Sequence, residues 1–307
     1  MRLIDPFGAG GGPDLIARVV ARHLAELWGQ PVTVENHPGI GSTAGPALVA
    51  QSAPDGHTLL VNTSAHAYSA VFRANLPYDP LRDFTPVAPI SSQPYVLVAG
   101  VRAGLRTLAE LVSAAKARPG QLKFGSSGLG TATHVGVAKL NAVVQIEALH
   151  EPASGADAIS DTIGHVVAGK TDYAMSPISI ALPRIRAKKL IGLGVTTARR
   201  SRLLPNVPTL AEAGATGFDF PVWYGLWARA STSADVVDEL SNSIASVLAE
   251  PALRDWLAEH DADPMAMTQA DFDRFVQKES AAAALILEAG DHIPERPILS
   301  ANGEEFP

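Results

Sequence analysis

The chain has 307 residues, of which 47% are hydrophobic and 18% are charged, and its formal net charge is −7. This composition excludes a disordered chain, and an acidic balance without a long basic run argues against nucleic-acid binding. The absence of cysteine excludes disulfides, thiolate zinc sites and cysteine nucleophiles.

The length predicts two domains, each with its own core. No apolar run reaches the roughly 18 residues of a transmembrane helix, so direct membrane insertion is not expected. Met1 and Arg2 lead straight into a predicted strand at 3–5, so we expect no leader peptide in the sequence as it stands. The lack of cysteine fits either the cytosol or a periplasm.

Strands and helices alternate from the first residues onward. After the strand at 3–5, Pro13 stands at the predicted first position of a helix that ends at Gly29. The other elements predicted in this half are strands at 32–34, 58–61, 87–90 and 95–98 and a helix of small residues at 43–52. The pattern is typical of α/β proteins.

The alternation restarts near residue 100. Thr107 and Glu110 form a capping box that predicts a helix ending near residue 118, and Thr209 with Glu212 repeats that signature. The remaining elements are strands at 122–124, 173–175, 191–195 and 223–228, helices near 131–143, 154–168, 233–248 and 269–287, and a loose tail at 295–307.

The predicted fold is α/β with two lobes, each a mixed β-sheet flanked by helices. The long strands near 95 and 223 are expected to cross between the lobes and to act as a hinge. One lobe is therefore predicted at residues 1–98 plus 226–307 and the other at 99–225, with a ligand cleft between them.

Three segments rich in glycine and hydroxyl groups carry most of the functional information. The first segment is Phe7 followed by Gly8-Ala9-Gly10-Gly11-Gly12, the second is Asn62-Thr63-Ser64-Ala65, and the third is Gly125-Ser126-Ser127-Gly128-Leu129-Gly130-Thr131. The first and third follow a short strand and open onto a helix, which directs unpaired backbone N–H groups and the positive end of a helix dipole at one point. Such sites bind anions, so two of them predict a carboxylate or phosphate held between the lobes.

Each segment also has an ordinary structural interpretation. Four glycines within five residues exceed what a strand-to-helix turn needs, and Pro13 stands where a dinucleotide fingerprint has its third glycine. Residues 39–44 match G-x-G-x-x-A, but a plain loop beside the first segment is the better interpretation. In the third segment the serines are expected to bind the ligand, whereas Thr131 could simply cap its helix and His134 could equally be structural.

Most catalytic signatures are absent from the sequence, and the one S-x-x-K match, at residues 113–116, lies in a predicted helix without its companion motifs. There is no G-x-S-x-G, since position 129 is leucine, no H-E-x-x-H and no P-loop lysine. No histidine pair has metal-ligand spacing, so neither a metal nor a cofactor is expected. The chain combines anion-binding segments with no evident chemistry, which favours a binding protein over an enzyme.

With these features the chain resembles the substrate-binding proteins of tripartite tricarboxylate transporters, the Bug-type receptors. Besides the first segment, the resemblance rests on residues 30–36, 38–39, 53–60, 76–84, 116–122, 125–128 and 204–214. It covers roughly residues 2–290, and the order and spacing of the segments make it specific.

The resemblance implies a monomeric, hinged periplasmic receptor of the type II binding-protein class, which traps a small carboxylate and delivers it to membrane transporter subunits. The residues it implies for ligand binding are Phe7, Gly8, Ala9, Gly10, Gly11, Thr63, Ser64, Ala65, Ser126, Ser127, Gly128, Gly130, Thr131, His134 and Ser176. Many relatives carry an aspartate at the position of Ser176, which orients an amino group. A dicarboxylate, tricarboxylate or aromatic acid is therefore expected rather than an amino acid.

Two other functions stay open at this point. The same fold could report its ligand to the sensor kinase of a two-component system. An enzyme could use His134 with Ser126 or Ser127, although we expect no turnover.

Overall fold

Two mixed β-sheets with helices packed on their faces make up the protein in the computed structural model, which describes residues 1–38, 42–73, 76–153 and 157–288. The strands are β1 (Arg2–Asp5), β2 (Thr33–Asn36), β3 (Thr58–Thr63), β4 (Phe84–Gln93), β5 (Tyr95–Gly100), β6 (Lys123–Ser126), β7 (Leu149–Pro152), β8 (Tyr173–Pro177), β9 (Leu190–Val195), β10 (Val222–Arg229) and β11 (Asp263–Pro264).

The helices are α1 (Gly12–Trp28), α2 (Ala44–Ala50), α3 (Ala65–Phe72), α4 (Leu108–Ala117), α5 (Ala132–Val144), α6 (Ala158–Ala168), α7 (Ile178–Arg186), α8 (Ala234–Ala249), α9 (Pro251–Glu259) and α10 (Gln269–Glu288). Within the described ranges, no helix combines the length and apolarity needed to cross a membrane.

The first sheet has the order β11-β4-β10-β3-β1-β2, in which β1 is parallel to both β2 and β3. The second sheet has the order β7-β6-β8-β5-β9, in which β6 is parallel to both β7 and β8. The chain leaves the first sheet after β4, crosses at Pro94 into β5 of the second sheet, and returns between β9 and β10. The two strands predicted to cross between the lobes, near 95 and 223, each pair within a single sheet. Each of them is the strand with which the chain enters that sheet.

Buried apolar side chains explain why the helices dock where they do. In α1, Ile16, Val20 and Leu24 form a buried stripe against the first sheet, and Gly29 ends the helix in the left-handed conformation with φ +63°. The largest core spans both sheets and contains Phe124 of β6 together with Trp223 of β10. Because this core is continuous, it packs the helices beside the first sheet against those beside the second.

Most predicted elements are confirmed, including α10, both long strands and the Thr107–Glu110 capping box. Thr209 and Glu212 also form their reciprocal hydrogen bonds, but they close a turn and not an α-helix. Pro13 occupies the second helical position, because α1 already begins at Gly12.

One prediction about local structure is wrong. Residues 62–65 do not form a loop, because Asn62 and Thr63 end β3 and Ala65 begins α3, which leaves Ser64 as the single connecting residue. The predictions for residues 39–41, for Ser154 and Gly155, and for the tail at 295–307 lie outside the described residues.

Candidate functional site

The three polar segments all follow the carboxyl ends of parallel strands. β1 and β3 are neighbours in the first sheet, and the first and second segments lie at their ends. β6 and β8 are neighbours in the second sheet, and they end in Ser126 and Pro177. The carboxyl edge of parallel strands is where ligands bind in open α/β sheets, because loops and helix N-termini meet there.

The first segment is a left-handed turn at the N-terminus of α1. Gly10 has φ +83°, a conformation that favours glycine, and its N–H donates to the Asp14 carboxylate at 2.9 Å. Asn36 Nδ2 also donates to that carboxylate, at 2.9 Å. No described residue accepts from the N–H groups of Gly11 and Gly12. These donors and the dipole of α1 are the features expected of an anion site, and ligand binding by this segment stays a prediction.

The buried Asp5 carboxyl anchors the start of this segment. It accepts from the Phe7 N–H at 3.0 Å and from Asn36 Nδ2 at 3.1 Å. Burial raises the pKa of Asp5 to about 7, mainly because the charged form loses water that these bonds only partly replace. Phe7 and Gly8 are half-buried, while Ala9 and Gly10 are exposed.

Gly12 places the end of the first segment against the strands that lead into the second sheet. A Cβ on Gly12 would lie 3.1 Å from Tyr224 Oη, and this hydroxyl accepts from Gln93 Nε2 at 2.5 Å. Tyr224 pairs with Thr63 across the sheet. The first and second segments are therefore joined through β10.

In the second segment Thr63 and Ser64 are buried, and Ala65 is half-buried. The Ala65 N–H donates to Thr63 Oγ1 at 3.1 Å, and the Ser64 N–H donates to the Trp223 carbonyl at 2.9 Å. These backbone donors are used within the protein. The segment therefore shapes the site around the start of α3.

The hydroxyls of the third segment bond to nearby groups of the protein. Thr131 Oγ1 donates to the Gly128 carbonyl at 2.7 Å and caps α5. The Ser127 hydroxyl lies 2.9 Å from Thr133 Oγ1, and the Ser127 N–H also donates to that atom at 3.0 Å. No described residue accepts from the N–H groups of Ala132 and Thr133 in the first turn of α5. The donors of this segment that have no described acceptor therefore lie at the helix N-terminus and not on the serine side chains.

Two predicted side chains of this segment are buried beneath it. Ser126 is fully buried, and its Oγ lies 2.6 Å from His150 Nε2. His134 is fully buried as well, accepts from the Gly130 N–H at 3.3 Å, and stacks on His150 with ring centroids 4.3 Å apart. Burial, together with the neighbouring His134, lowers the pKa of His150 to about 2, so this ring stays neutral. The hydroxyls of Ser126 and Ser127 instead lie against His150 Nε2 and Thr133 Oγ1.

Ser176 is fully buried near the end of β8, where it pairs with Val96 of β5. Its hydroxyl donates to the Pro177 carbonyl at 3.0 Å. Its contact with a ligand stays a prediction, as do the ligand contacts of the other candidate residues. In the described part of the chain, no group of three or more histidines and acidic residues could hold a metal ion.

The second and third segments meet at one polar cavity between the two sheets. Its volume is about 10 Å³, and its lining is Ser42, Asn62, Ala65, His66, Ser69, Arg73, Tyr78, Gly130 and Thr131. Arg73 crosses between the sheets, because its Nε and Nη2 donate to the Leu129 carbonyl at 3.2 and 2.8 Å. Phe72 packs edge-on against His134 beside it, with ring centroids 5.2 Å apart.

Sequence reasoning did not identify Arg73, Tyr78 or His150. Arg73 follows the last residue of α3, a helix that was not predicted, and His150 lies on β7, which was not predicted either. The sequence does contain a signal for Arg73, because it is the single arginine in the largely apolar stretch after Ser64.

Comparison with known proteins places the chain among transport receptors. The family model described as the tripartite tricarboxylate transporter family receptor matches residues 16–291. Protein BugT of Bordetella pertussis is 32% identical over 283 residues, which are 91% of this chain and 85% of BugT.

Two solved structures resemble the fold over most of its length. Rpa4515 of R. palustris with adipate aligns with a TM-score of 0.83 at 28% identity, covering 94% of this chain and 96% of that one. MatC from Rhodopseudomonas palustris with bound malate aligns with a TM-score of 0.81 at 28% identity, covering 94% of this chain and 98% of that one.

Proposed function

Because this chain belongs to the tripartite tricarboxylate transporter receptor family, we propose that it is a periplasmic solute receptor that traps one small carboxylate between two lobes and delivers it to membrane transporter subunits. Its fold is the two-lobed type II periplasmic-binding-protein fold. The observation that carries the proposal is the polar cavity to which residues of both sheets contribute.

The proposed lobes follow the sheets. Tyr95–Gly100 pairs in the second sheet and Val222–Arg229 in the first. The boundaries of the proposed lobes therefore lie at Pro94 and just before Val222, a few residues from 98/99 and 225/226. The ligand lies in the cleft between them.

Two helix N-termini bind the carboxylate. The N–H groups of Gly11 and Gly12 belong to one lobe, and those of Ala132 and Thr133 belong to the other. Each set, with its helix dipole, holds a carboxylate oxygen directly or through water. Because the ligand touches both lobes only in the closed form, it shifts the hinge equilibrium toward closure.

The ligand is an acid without an amino group. The buried Ser176 hydroxyl donates to the Pro177 carbonyl. A serine at this position provides no carboxylate that could bind the ammonium group of an amino acid. Adipate and malate, the ligands named for Rpa4515 and MatC, also lack an amino group. Dicarboxylates, tricarboxylates and aromatic acids are the classes to test.

A thermal-shift screen of these acids against the purified protein tests the proposal, because a ligand that binds only the folded state raises Tm by mass action. Ser127→Trp places a bulky side chain at the mouth of the third segment and is expected to abolish the shift. Ser113→Trp is the matched control, since Ser113 is exposed on α4. The proposal fails if no acid raises the Tm of the wild type, and its account of the cleft fails if Ser127→Trp responds like the wild type.

A further inference from the structure

The cavity between the lobes contains one charged side chain among its described lining. That side chain is Arg73, and the other lining residues carry hydroxyl, amide, imidazole, methyl or backbone groups. The volume of about 10 Å³ holds roughly one water molecule. Arg73 itself is half-buried, so only part of its side chain is shielded from solvent.

No described carboxylate lies within ion-pair distance of the Arg73 guanidinium. Its Nε and Nη2 share the Leu129 carbonyl, which uses one edge of the group, and Nη1 has no acceptor among the described residues. Burial lowers the pKa of Arg73, although a guanidinium keeps its proton in proteins. Arg73 is half-buried, so its charge is partly shielded from water and lacks a partner carboxylate among the described residues, which suits it to receive an anion.

The titratable neighbours do not supply that anion. Burial raises the pKa of Tyr78 to about 12, so the phenol stays neutral at physiological pH. His66 is buried and its pKa is lowered to about 3, which keeps its ring neutral as well. Arg73 therefore retains an uncompensated positive charge within the described part of the site.

The position of Arg73 connects it to the proposed ligand cleft. The cavity also touches Gly130 and Thr131, which immediately precede the N-terminus of α5. Gly130 has φ +71°, and a Cβ there would lie 3.0 Å from Phe72 Cβ, so glycine allows the third segment to approach Arg73 closely. An acid held at α5 thus has a cation beside it.

We propose that Arg73 binds a second anionic group of the ligand and thereby makes the receptor selective for acids with two carboxylates. This inference rests on the proposed function and adds a residue to the same site. The Nη1 edge of the guanidinium donates to one or both oxygens of the distal carboxylate.

Isothermal titration with pairs of acids of matched skeleton tests the assignment. The pairs are succinate with butyrate, adipate with hexanoate, and terephthalate with benzoate. The wild type is expected to bind the dicarboxylate of at least one pair more tightly than its partner, by about tenfold to a hundredfold. Arg73→Gln should remove that preference, and Arg73→Lys, which keeps the charge but not the planar edge, should retain part of it.

Arg82→Gln is the matched control, because the Arg82 side chain is 88% exposed and lies away from the cavity. Equal binding of both members of every pair by the wild type overturns the role of Arg73 and leaves the proposed function intact. An equal loss for both members in Arg73→Gln also overturns it, since a residue that only holds the cleft closed would act in that way. Failure of the wild type to bind any of the six acids overturns this inference, and the thermal-shift screen, which also includes tricarboxylates, tests the proposed function separately.

Discussion

The carboxyl group of Asp5 links the first segment to the pH dependence of stability. Its pKa is raised to about 7 in the folded protein by burial, above its ordinary value of 3.8. The folded state therefore holds this proton more tightly, and the associated stability is lost as pH rises from about 4 to about 7. We predict that Asp5→Asn removes this pH dependence. Over the same pH range, the free energy of unfolding of the variant should fall by up to about 4 kcal/mol less than that of the wild type.

Urea unfolding of wild type and variant at half-unit steps from pH 4 to pH 8 measures this difference. Asp255→Asn is the control, because Asp255 is exposed on α9. Its profile should run parallel to that of the wild type. Parallel profiles for Asp5→Asn would show that the Asp5 carboxyl has no raised pKa.

At the residue scale, the sequence indicated which positions need glycine better than it indicated which side chains are in contact. Gly10 and Gly130 have positive φ, so their glycine character follows from local sterics that are readable in the sequence. The burial of Ser126 depends on His150, which arrives on a strand 24 residues later. Such contacts arise from tertiary packing, so the side chains could not be assigned in advance to the cleft or to its support.

One carboxylate joins helix α10 to α3 and to the first sheet, beside the apolar packing of that helix. Glu279 Oε2 accepts from Tyr68 Oη at 3.0 Å and from Trp223 Nε1 at 3.1 Å, and both donor residues are almost fully buried. Removing the acceptor leaves two buried donors unsatisfied. We predict that Glu279→Ala lowers the free energy of unfolding by about 2 kcal/mol or more, measured by urea denaturation.

Two further variants separate this contact from the intrinsic effect of alanine in a helix. Glu239→Ala on α8 is exposed and should change stability by less than about 0.5 kcal/mol. Glu279→Gln keeps an acceptor oxygen and should lose less than Glu279→Ala. Equal losses in Glu279→Ala and Glu239→Ala would contradict the role assigned to the carboxylate.

At the element scale, prediction failed where the local signals were weak. Strand β7 is an exposed edge strand without apolar alternation, and α3 lacks a side-chain cap at Ser64. Helix α7 contains Pro183 in its interior, which argues against a helix in the sequence. Packing against the sheets outweighs local preference in each case. Helix α9 has a clearer local signal, because Pro251 at its first position favours the start of a helix.

At the scale of the whole molecule, several contacts around the cavity at Arg73 hold the two sheets together. Phe72 against His134, Arg73 on the Leu129 carbonyl, and Tyr68 stacked on Phe220 all join helices or loops of different sheets. The sequence predicted two lobes with polar segments facing a cleft, because strand–helix alternation restarts near residue 100. It could not predict these contacts, because they depend on how closely the lobes approach.

Gly130 lies where the third segment approaches Phe72, and its replacement tests whether ligand binding requires this close contact between the lobes. Alanine there would place Cβ 3.0 Å from Phe72 Cβ, so we predict that Gly130→Ala weakens binding of the cognate acid by about tenfold, measured by titration. Gly104→Ala is the matched control, since Gly104 has φ +72° and open space around it. Both variants pay the same backbone cost of about 1 kcal/mol in stability, yet only Gly130→Ala meets a neighbour across the cleft. Equal affinity in the two variants would mean that closure does not require this contact.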